Sequence, residues 1–194
     1  MKPVHAIAVV LGSIATMGAV VPETPSPQAP HEHEAGKVTT TTLLDLKGAT
    51  VGRATLTETP HGLLIQLEVS GLPPGPHALH IHAAGKCEPP FDSAGPHFNP
   101  TDRKHGFVAA DGFHAGDLPN IHVPESGKLA VEVVAEGVTL SSGAHALFDG
   151  DGAALVIHAT ADDYRTDPAG EAGGRIACGV IESVTAVKPA SMKQ

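Results

Sequence analysis

The sequence predicts an all-β domain: an antiparallel Greek-key sandwich or flattened barrel of about eight strands, with immunoglobulin-like architecture and two long functional loops. The composition of 22 Gly and 17 Pro, without Trp and with one Tyr, indicates many turns and a core of aliphatic residues. Every second residue from Leu63 to Val69 is apolar, which is the periodicity of a strand. Residues 84–123 and 161–174 lack this alternation and are rich in Gly, Pro, Asp and His, which is typical of functional loops.

Short apolar or alternating runs, most of them separated by turn residues, define the individual strands. In chain order, the predicted strands cover residues 39–46, 54–57, 63–70, 77–83, 129–134, 155–159 and 176–184. The chain of 194 residues has room for one good-sized domain, and nothing in the sequence indicates a second hydrophobic core.

The N-terminus has the layout of a secretory signal. Lys2 precedes a mostly apolar run from Ala6 to Val21, and a Pro-rich segment follows. The run is short for a membrane span and lacks a clean small-x-small cleavage site, so an uncleaved anchor stays open as an alternative. We expect export to the periplasm or cell envelope, or secretion.

The segment after the signal is polar and rich in Pro, and it carries His31 and His33. Such a segment cannot bury a core, so we expect a flexible linker. The predicted organisation is a signal peptide at 1–21, the linker at 22–36, the folded domain at 37–185 and a C-terminal tail at 186–194.

The formal charge of −9 argues against nucleic-acid binding, because such proteins cluster Lys and Arg to replace phosphate counterions. The same charge repels an anionic substrate, which would need a local positive group near the site. Thirteen histidines are an unusual number, and imidazole is the commonest metal ligand in proteins. Metal binding is therefore the first function that the composition suggests.

A group of candidate metal ligands begins on a predicted strand. Strand alternation sends His80 and His82 to the same face, close enough to share one ion. The loop that follows supplies further nitrogen and oxygen ligands, which are His97, His105, His114 and Asp117. Three histidines and one aspartate match a closed tetrahedral zinc site. A strand pair of histidines with two remote histidines suits copper, which prefers a tetragonal nitrogen set.

The chain has two cysteines, Cys87 and Cys178, far apart in the sequence. In an exported protein such a pair indicates one disulfide. Two thiolate metal ligands are the alternative, which is weaker because the cysteines do not form a close pair.

These spaced residues resemble the copper/zinc superoxide dismutase family, in its bacterial exported form. The family pattern of HxH, Cys, His, His, His and Asp is met with its spacing intact from His80 to Asp117. Residues 155–163 are similar to the family segment that carries the last copper ligand, here His158. Residues 173–180 are similar to the segment that carries the active-site arginine and the second disulfide cysteine, here Arg175 and Cys178. The resemblance extends from about residue 37 to residue 184.

The resemblance implies which residues hold each metal. Copper would be held by His80, His82, His97 and His158, and zinc by His97, His105, His114 and Asp117. Asp162 would hydrogen-bond one histidine of each site, and we expect His80 and His105. The remaining histidines of the domain are expected to be structural or exposed: His61, His77, His122 and His145.

The resemblance also implies the reaction, which is the conversion of superoxide into oxygen and hydrogen peroxide. In the family, copper alternates between two oxidation states while the bridging histidine, here His97, takes up and returns a proton. Zinc would be redox-silent and would hold His97. Arg175 would supply the local positive charge that docks the anion; its alternative role is a surface salt bridge.

Two other classes of protein compete with the enzyme. A non-enzymatic copper-binding relative keeps the sandwich, but typically loses a copper ligand or the arginine, and this chain retains both. An adhesion or structural sandwich predicts no clustered ligands, although the fold alone does not exclude it. Since bacterial members pair differently from animal ones and some are monomeric, the oligomeric state stays open, with a homodimer among the alternatives.

Overall fold

The computed structural model of the protein describes residues 36–141 and 143–182. Nine strands and one short 3-10 helix, Asp92–Ala94, lie within these residues. The strands are β1 (Val38–Asp45), β2 (Thr50–Thr59), β3 (Gly62–Ser70), β4 (Gly75–His77), β5 (Leu79–His82), β6 (Ile121–Val123), β7 (Lys128–Glu136), β8 (Ala153–His158) and β9 (Arg175–Ile181). The prediction of an all-β fold is confirmed.

Seven strands form a curled antiparallel sheet in the order β5-β8-β9-β1-β2-β3-β7, and β4 pairs with β6 in a second, two-stranded sheet. Alternating burial follows from the alternating sequence: in β1, Thr39, Thr41 and Leu43 are buried and the residues between them are exposed. In β3 the buried positions include Leu63, Ile65 and Leu67, which join the main core. Burial of these apolar side chains is the main force that stabilises the sheet.

Strand β8 is buried at all six positions, because both of its faces are covered. Leu155 and Ile157 belong to the main core. Ala154 and Val156 belong to a smaller cluster with Phe91, Ala94 and Cys178. The segment around Phe91 thus packs against the outer face of the sheet.

The predicted strand at 77–83 differs from the structure, which divides it at Ala78. His77 in β4 pairs with Ile121 in β6, whereas Leu79 in β5 pairs with Ile157 in β8. The chain changes partner between these two residues, and β6 lies inside the stretch that was predicted to be irregular. A strand of three residues is too short to produce a periodic signal.

Within residues 36–141 and 143–182, no helix has the length and apolar character needed to cross a bilayer. The predicted signal segment at 1–21, residues 22–35 of the predicted linker and the predicted tail at 186–194 lie outside the described residues.

Candidate metal centre

The candidate centre begins on β5, a short strand whose four residues are all buried. His80 and His82 point to the same side, and β8 on one edge of β5 ends with His158. The Nε2 atoms of His82 and His158 are 3.3 Å apart. Strand pairing alone therefore brings three histidines together.

A long loop lies along the other edge of β5. The Ile81 amide donates to the Gly116 carbonyl and the Phe98 amide donates to the Ile81 carbonyl, each over 2.8 Å. A side chain at Gly116 would collide with the Ile81 carbonyl, so glycine allows the close approach. As a result His97 lies opposite His82, and Asp117 lies opposite His80.

Three loop histidines converge on one carboxylate oxygen. Asp117 Oδ1 is 2.8 Å from His97 Nδ1, 3.1 Å from His105 Nδ1 and 3.2 Å from His114 Nδ1. The His97 and His114 Nδ1 atoms are 3.3 Å apart. In a tetrahedral zinc site with bonds of about 2.0 to 2.1 Å, ligand atoms lie about 3.3 Å from one another. The donor types and their spacing fit zinc.

The second group contains His80, His82, His97 and His158, whose ligand atoms lie within 4.8 Å of one another. His82 Nδ1 faces the Gly95 carbonyl at 2.8 Å, so this nitrogen carries the proton and Nε2 keeps its lone pair. His80 Nδ1 and His97 Nε2 are buried and lack a hydrogen-bond partner among the described residues. Orphaned buried nitrogens are costly unless a cation binds them, and four imidazole nitrogens suit copper.

Asp162 connects the two groups. Its Oδ2 lies 2.9 Å from His80 Nε2, and its Oδ1 lies 2.9 Å from His105 Nε2. Each imidazole donates its proton to the carboxylate and turns its other nitrogen toward the candidate metal position. The carboxylate therefore sets the orientation of one histidine in each group.

Arg175 begins β9 directly opposite His158 in β8. Its guanidinium donates from Nη1 to the Phe91 carbonyl over 2.6 Å and from Nη2 to the Gly95 carbonyl over 2.7 Å. The Gly95 carbonyl also accepts from His82, so one backbone group holds both side chains. These carbonyls belong to the segment that the disulfide between Cys87 and Cys178 ties to β9.

Residues 50–181 match the family described as copper/zinc superoxide dismutase (SODC). This chain belongs to the copper/zinc superoxide dismutase family. Its members use copper and zinc, and the ligand groups described above fit both ions. The enzyme is accordingly an oxidoreductase whose substrate is superoxide.

Bacterial relatives cover most of the chain. Superoxide dismutase [Cu-Zn] 1 of Aquifex aeolicus is 51% identical over 143 residues, which are 72% of this chain and 85% of that protein. Superoxide dismutase [Cu-Zn] of Caulobacter vibrioides is 45% identical over 139 residues, 70% of this chain and 80% of that protein. The crystal structure of a SOD-like protein from Bacillus subtilis has a TM-score of 0.72 and 38% identity, and the match covers 74% of this chain and 98% of that chain.

Three histidines of the group that suits copper, here called the copper group, stay neutral near pH 7: His82, His97 and His158. Burial lowers the pKa of His82 to about 2 and that of His158 to about 3, and lowers that of His97 to about 4. Neighbouring positive groups, Arg175 among them, lower the pKa of His82 and His158 further. Neutral imidazoles offer the lone pairs that a metal needs.

Two residues of the group that fits zinc, here called the zinc group, behave differently: His105 and Asp117. Burial lowers the pKa of His105, but its hydrogen bonds to Asp117 and Asp162 outweigh burial and raise this pKa to about 9. Burial raises the pKa of Asp117, but hydrogen bonds from three histidines hold it well below its usual range. Burial also raises the pKa of Asp162, but hydrogen bonds from His105 and His80 outweigh burial and hold this pKa below its usual value.

The copper group opens into a pocket of about 690 Å³, which is lined by His82, His97, His158 and Arg175 among others. One further cation, Arg103, lines this pocket. The carboxylates that line it are more numerous, and they are Asp102, Asp149, Asp151 and Asp167. Arg175 therefore sits at the base of an entrance whose rim is acidic.

The other histidines that the structure describes belong to neither of the two groups. Both ring nitrogens of His77 face carbonyls, that of His158 at 2.8 Å and that of Pro73 at 2.9 Å, so this ring is engaged in the fold. His61 and His122 are exposed, and His145 Nδ1 lies 3.2 Å from the Gly137 carbonyl. His31 and His33 lie outside the described residues.

Two residues that the sequence analysis did not single out contact Asp162. The side chain of Asn120 forms hydrogen bonds with the backbone of Asp162. The backbone amide of Tyr164 donates a hydrogen bond to the Asp162 carboxylate. Neither is a metal-ligand type at a ligand spacing; the only signal is that Asn120 follows Asp117 by three residues and Tyr164 follows Asp162 by two. The carbonyls that hold Arg175 are backbone groups, so residue types in the sequence cannot reveal them.

Proposed function

We propose that this enzyme disproportionates superoxide at a copper ion that shares His97 with a structural zinc ion. The observation that carries the proposal is that His97 belongs to both ligand groups. Its Nδ1 faces Asp117 in the zinc group, and its Nε2 faces the copper group without a protein partner among the described residues. A single imidazole with one nitrogen in each group is suited to bridging two ions.

The ligands then divide between the metals. Copper would be held by His80, His82, His97 and His158, and zinc by His97, His105, His114 and Asp117. When bound, copper supplies one-electron chemistry, so that two superoxide ions and two protons yield one molecule of oxygen and one of hydrogen peroxide. Zinc is redox-silent.

The side chains around the metals have separate tasks. His97 can hold a proton at Nε2 when no metal occupies that nitrogen. Because His97 lines the pocket, this proton lies where the formation of hydrogen peroxide consumes protons. Arg175 attracts the anion to the floor and orients it, since its guanidinium is fixed by two carbonyls. Asp162 keeps His80 and His105 in their orientation through a hydrogen bond to each ring.

Three variants test the shared ligand through metal affinity alone. Competition titrations against a chelator should show that His82→Gln weakens copper binding and His114→Gln weakens zinc binding, each leaving the other metal in place. His97→Gln should weaken both. A His97→Gln protein that loses affinity for only one of the metals would contradict the bridge.

We also propose that the chain acts outside the cytoplasm, in antioxidant defence, after removal of residues 1–21. The disulfide between Cys87 and Cys178 supports this location, because such bonds persist in oxidising compartments. Cell fractionation followed by N-terminal sequencing tests it. Protein in the exported fraction that begins near residue 22 is expected; exported protein that keeps its first residues indicates the anchor, and cytoplasmic protein with reduced cysteines contradicts export.

A further inference from the structure

The side chain of Asn120 holds the backbone of Asp162. Asn120 donates from Nδ2 to the Asp162 carbonyl over 2.9 Å, and its Oδ1 accepts from the Asp162 amide over 2.8 Å. Asn120 lies three residues after Asp117, so this pair of bonds ties the loop that carries Asp162 to the segment that carries the zinc-group carboxylate. Asp162 cannot shift without breaking a contact to that segment.

Tyr164 closes the arrangement into a ring. Its backbone amide donates to Asp162 Oδ1 over 2.6 Å, and its phenol oxygen accepts from the backbone amide of Asn120 over 2.6 Å. Asn120, Asp162 and Tyr164 therefore form a closed hydrogen-bond ring. We call these three residues the Asp162 clamp.

The backbone of Tyr164 has a φ of 60°, in the left-handed region that a bulky side chain rarely adopts. This conformation lets its amide reach Asp162 while its ring turns back toward Asn120. Residues in such sparsely populated conformations persist where their surroundings determine them, and they cluster at functional sites.

The surroundings leave the clamp little room to move. A side chain at Gly170 would collide with Asp162 Oδ1 and His105 Nε2, and one at Gly106 would collide with the Tyr164 carbonyl. Both glycines have positive φ, at 65° and 96°. The chain thus packs closely against the carboxylate and against the turn that carries Tyr164.

We propose that Asn120 and Tyr164 are positioning residues that fix Asp162, and through it the orientation of His80 in the copper group relative to His105 in the zinc group. Neither residue belongs to a candidate ligand group or to the lining of the pocket. The Asp162 carboxylate transmits their effect to His80 and His105, so a change at Tyr164 should alter both metal sites. This inference rests on the ligand assignment of the proposed function.

The direct test is Tyr164→Phe, which removes one oxygen and keeps the ring, whose centroid lies 5.3 Å from that of Phe107. The backbone amide of Asn120 then loses its acceptor, the Tyr164 hydroxyl oxygen, and the hydrogen-bond ring opens. We expect zinc affinity to fall by about tenfold, the lower end of what loss of an outer-shell contact to a metal ligand costs. The electron paramagnetic resonance spectrum of the copper-loaded protein should also change, because His80 is less firmly oriented.

Phe107→Leu is the matched control, since it removes the ring neighbour of Tyr164 and keeps every hydrogen bond of the Asp162 clamp. We expect zinc affinity within about twofold of the unchanged protein, well short of the tenfold loss. The chain has one Tyr and no Trp, so intrinsic fluorescence reports on Tyr164 alone and confirms that this ring stays packed in the control.

The results can refute the positioning role of the Asp162 clamp and the assignment of the metal ligands independently of each other. Unchanged zinc affinity and an unchanged copper spectrum in Tyr164→Phe, or an equal loss in Phe107→Leu, would overturn the positioning role. His114→Gln in the same titration tests the assignment itself: if it binds zinc as tightly as the unchanged protein, the proposed function fails instead. A loss confined to Tyr164→Phe and His114→Gln supports both.

Discussion

Removal of the disulfide should weaken both the fold and the site. Cys87 and Cys178 are 91 residues apart in the sequence, and a cross-link over that separation lowers the entropy of the unfolded chain. The chain-entropy relation gives a stabilisation of about 4 to 5 kcal/mol for a loop of this length. For a domain of this size, the double variant Cys87→Ala with Cys178→Ala should therefore melt roughly 8 to 20 °C lower.

The same variant should lose activity under conditions in which it is still folded. Cys87 anchors the segment whose carbonyls, at Phe91 and Gly95, hold Arg175 and His82. With the segment released, Arg175 loses both hydrogen-bond acceptors, so turnover should fall more than copper content.

The assay is thermal unfolding of the metal-free protein by calorimetry, together with superoxide decay at a temperature well below the transition. Use of the variant avoids chemical reductants, which would also reduce copper. A melting temperature within about 2 °C of that of the unchanged protein would correspond to a loss of less than about 1 kcal/mol in the free energy of unfolding for a domain of this size. Such a result would refute the entropic estimate. Full activity at equal copper content would refute the link between the disulfide and Arg175.

Three further predictions follow from the charges. Arg175→Glu should keep both metals but slow turnover and change its salt dependence; unchanged kinetics at low salt would exclude the docking role. Asp149→Asn with Asp151→Asn should raise the second-order rate constant at low salt, since these carboxylates line the pocket entrance, and the gain should shrink above about 0.1 M salt, where the Debye length is about 10 Å. Glu125→Gln with Glu136→Gln, two exposed changes outside the pocket lining, is the control of equal charge, and an equal gain there would show that only net charge matters. The metal-free protein should be most stable near pH 6.5. The pKa values of His82, His158 and His97 are lowered to about 2, 3 and 4, so their contribution to the free energy of unfolding falls as the pH drops from 6.5 through these values. The pKa of His105 is raised to about 9, so its contribution falls as the pH rises from 6.5 through about 9. Melting temperatures that rise steadily from pH 4 to pH 9 would contradict these signs.

The sequence predicts those features that depend on side chains at regular spacing. Alternation along β5 placed His80 and His82 on one face, and the structure shows both buried on the side that faces the loop. The all-β fold is confirmed for the same reason, because strand periodicity is visible in β1 and β3.

What the sequence misses depends on the backbone or on three-dimensional partners. The division of the predicted strand at Ala78 arises because its two halves pair with β6 and β8, and no local pattern encodes a change of partner. The carbonyls of Phe91 and Gly95 act through main-chain position. The Asp162 clamp joins residues that lie 42 apart in the chain, at Asn120 and Asp162, and its geometry depends on a left-handed turn at Tyr164.

The copper and zinc content of the purified protein, measured together with its rate of superoxide decay, decides whether this chain is a copper/zinc dismutase. We expect about one copper and one zinc per chain, with fast decay that is abolished when copper is removed and returns when copper is restored. Protein that binds zinc but stays inactive after copper is supplied would contradict this expectation.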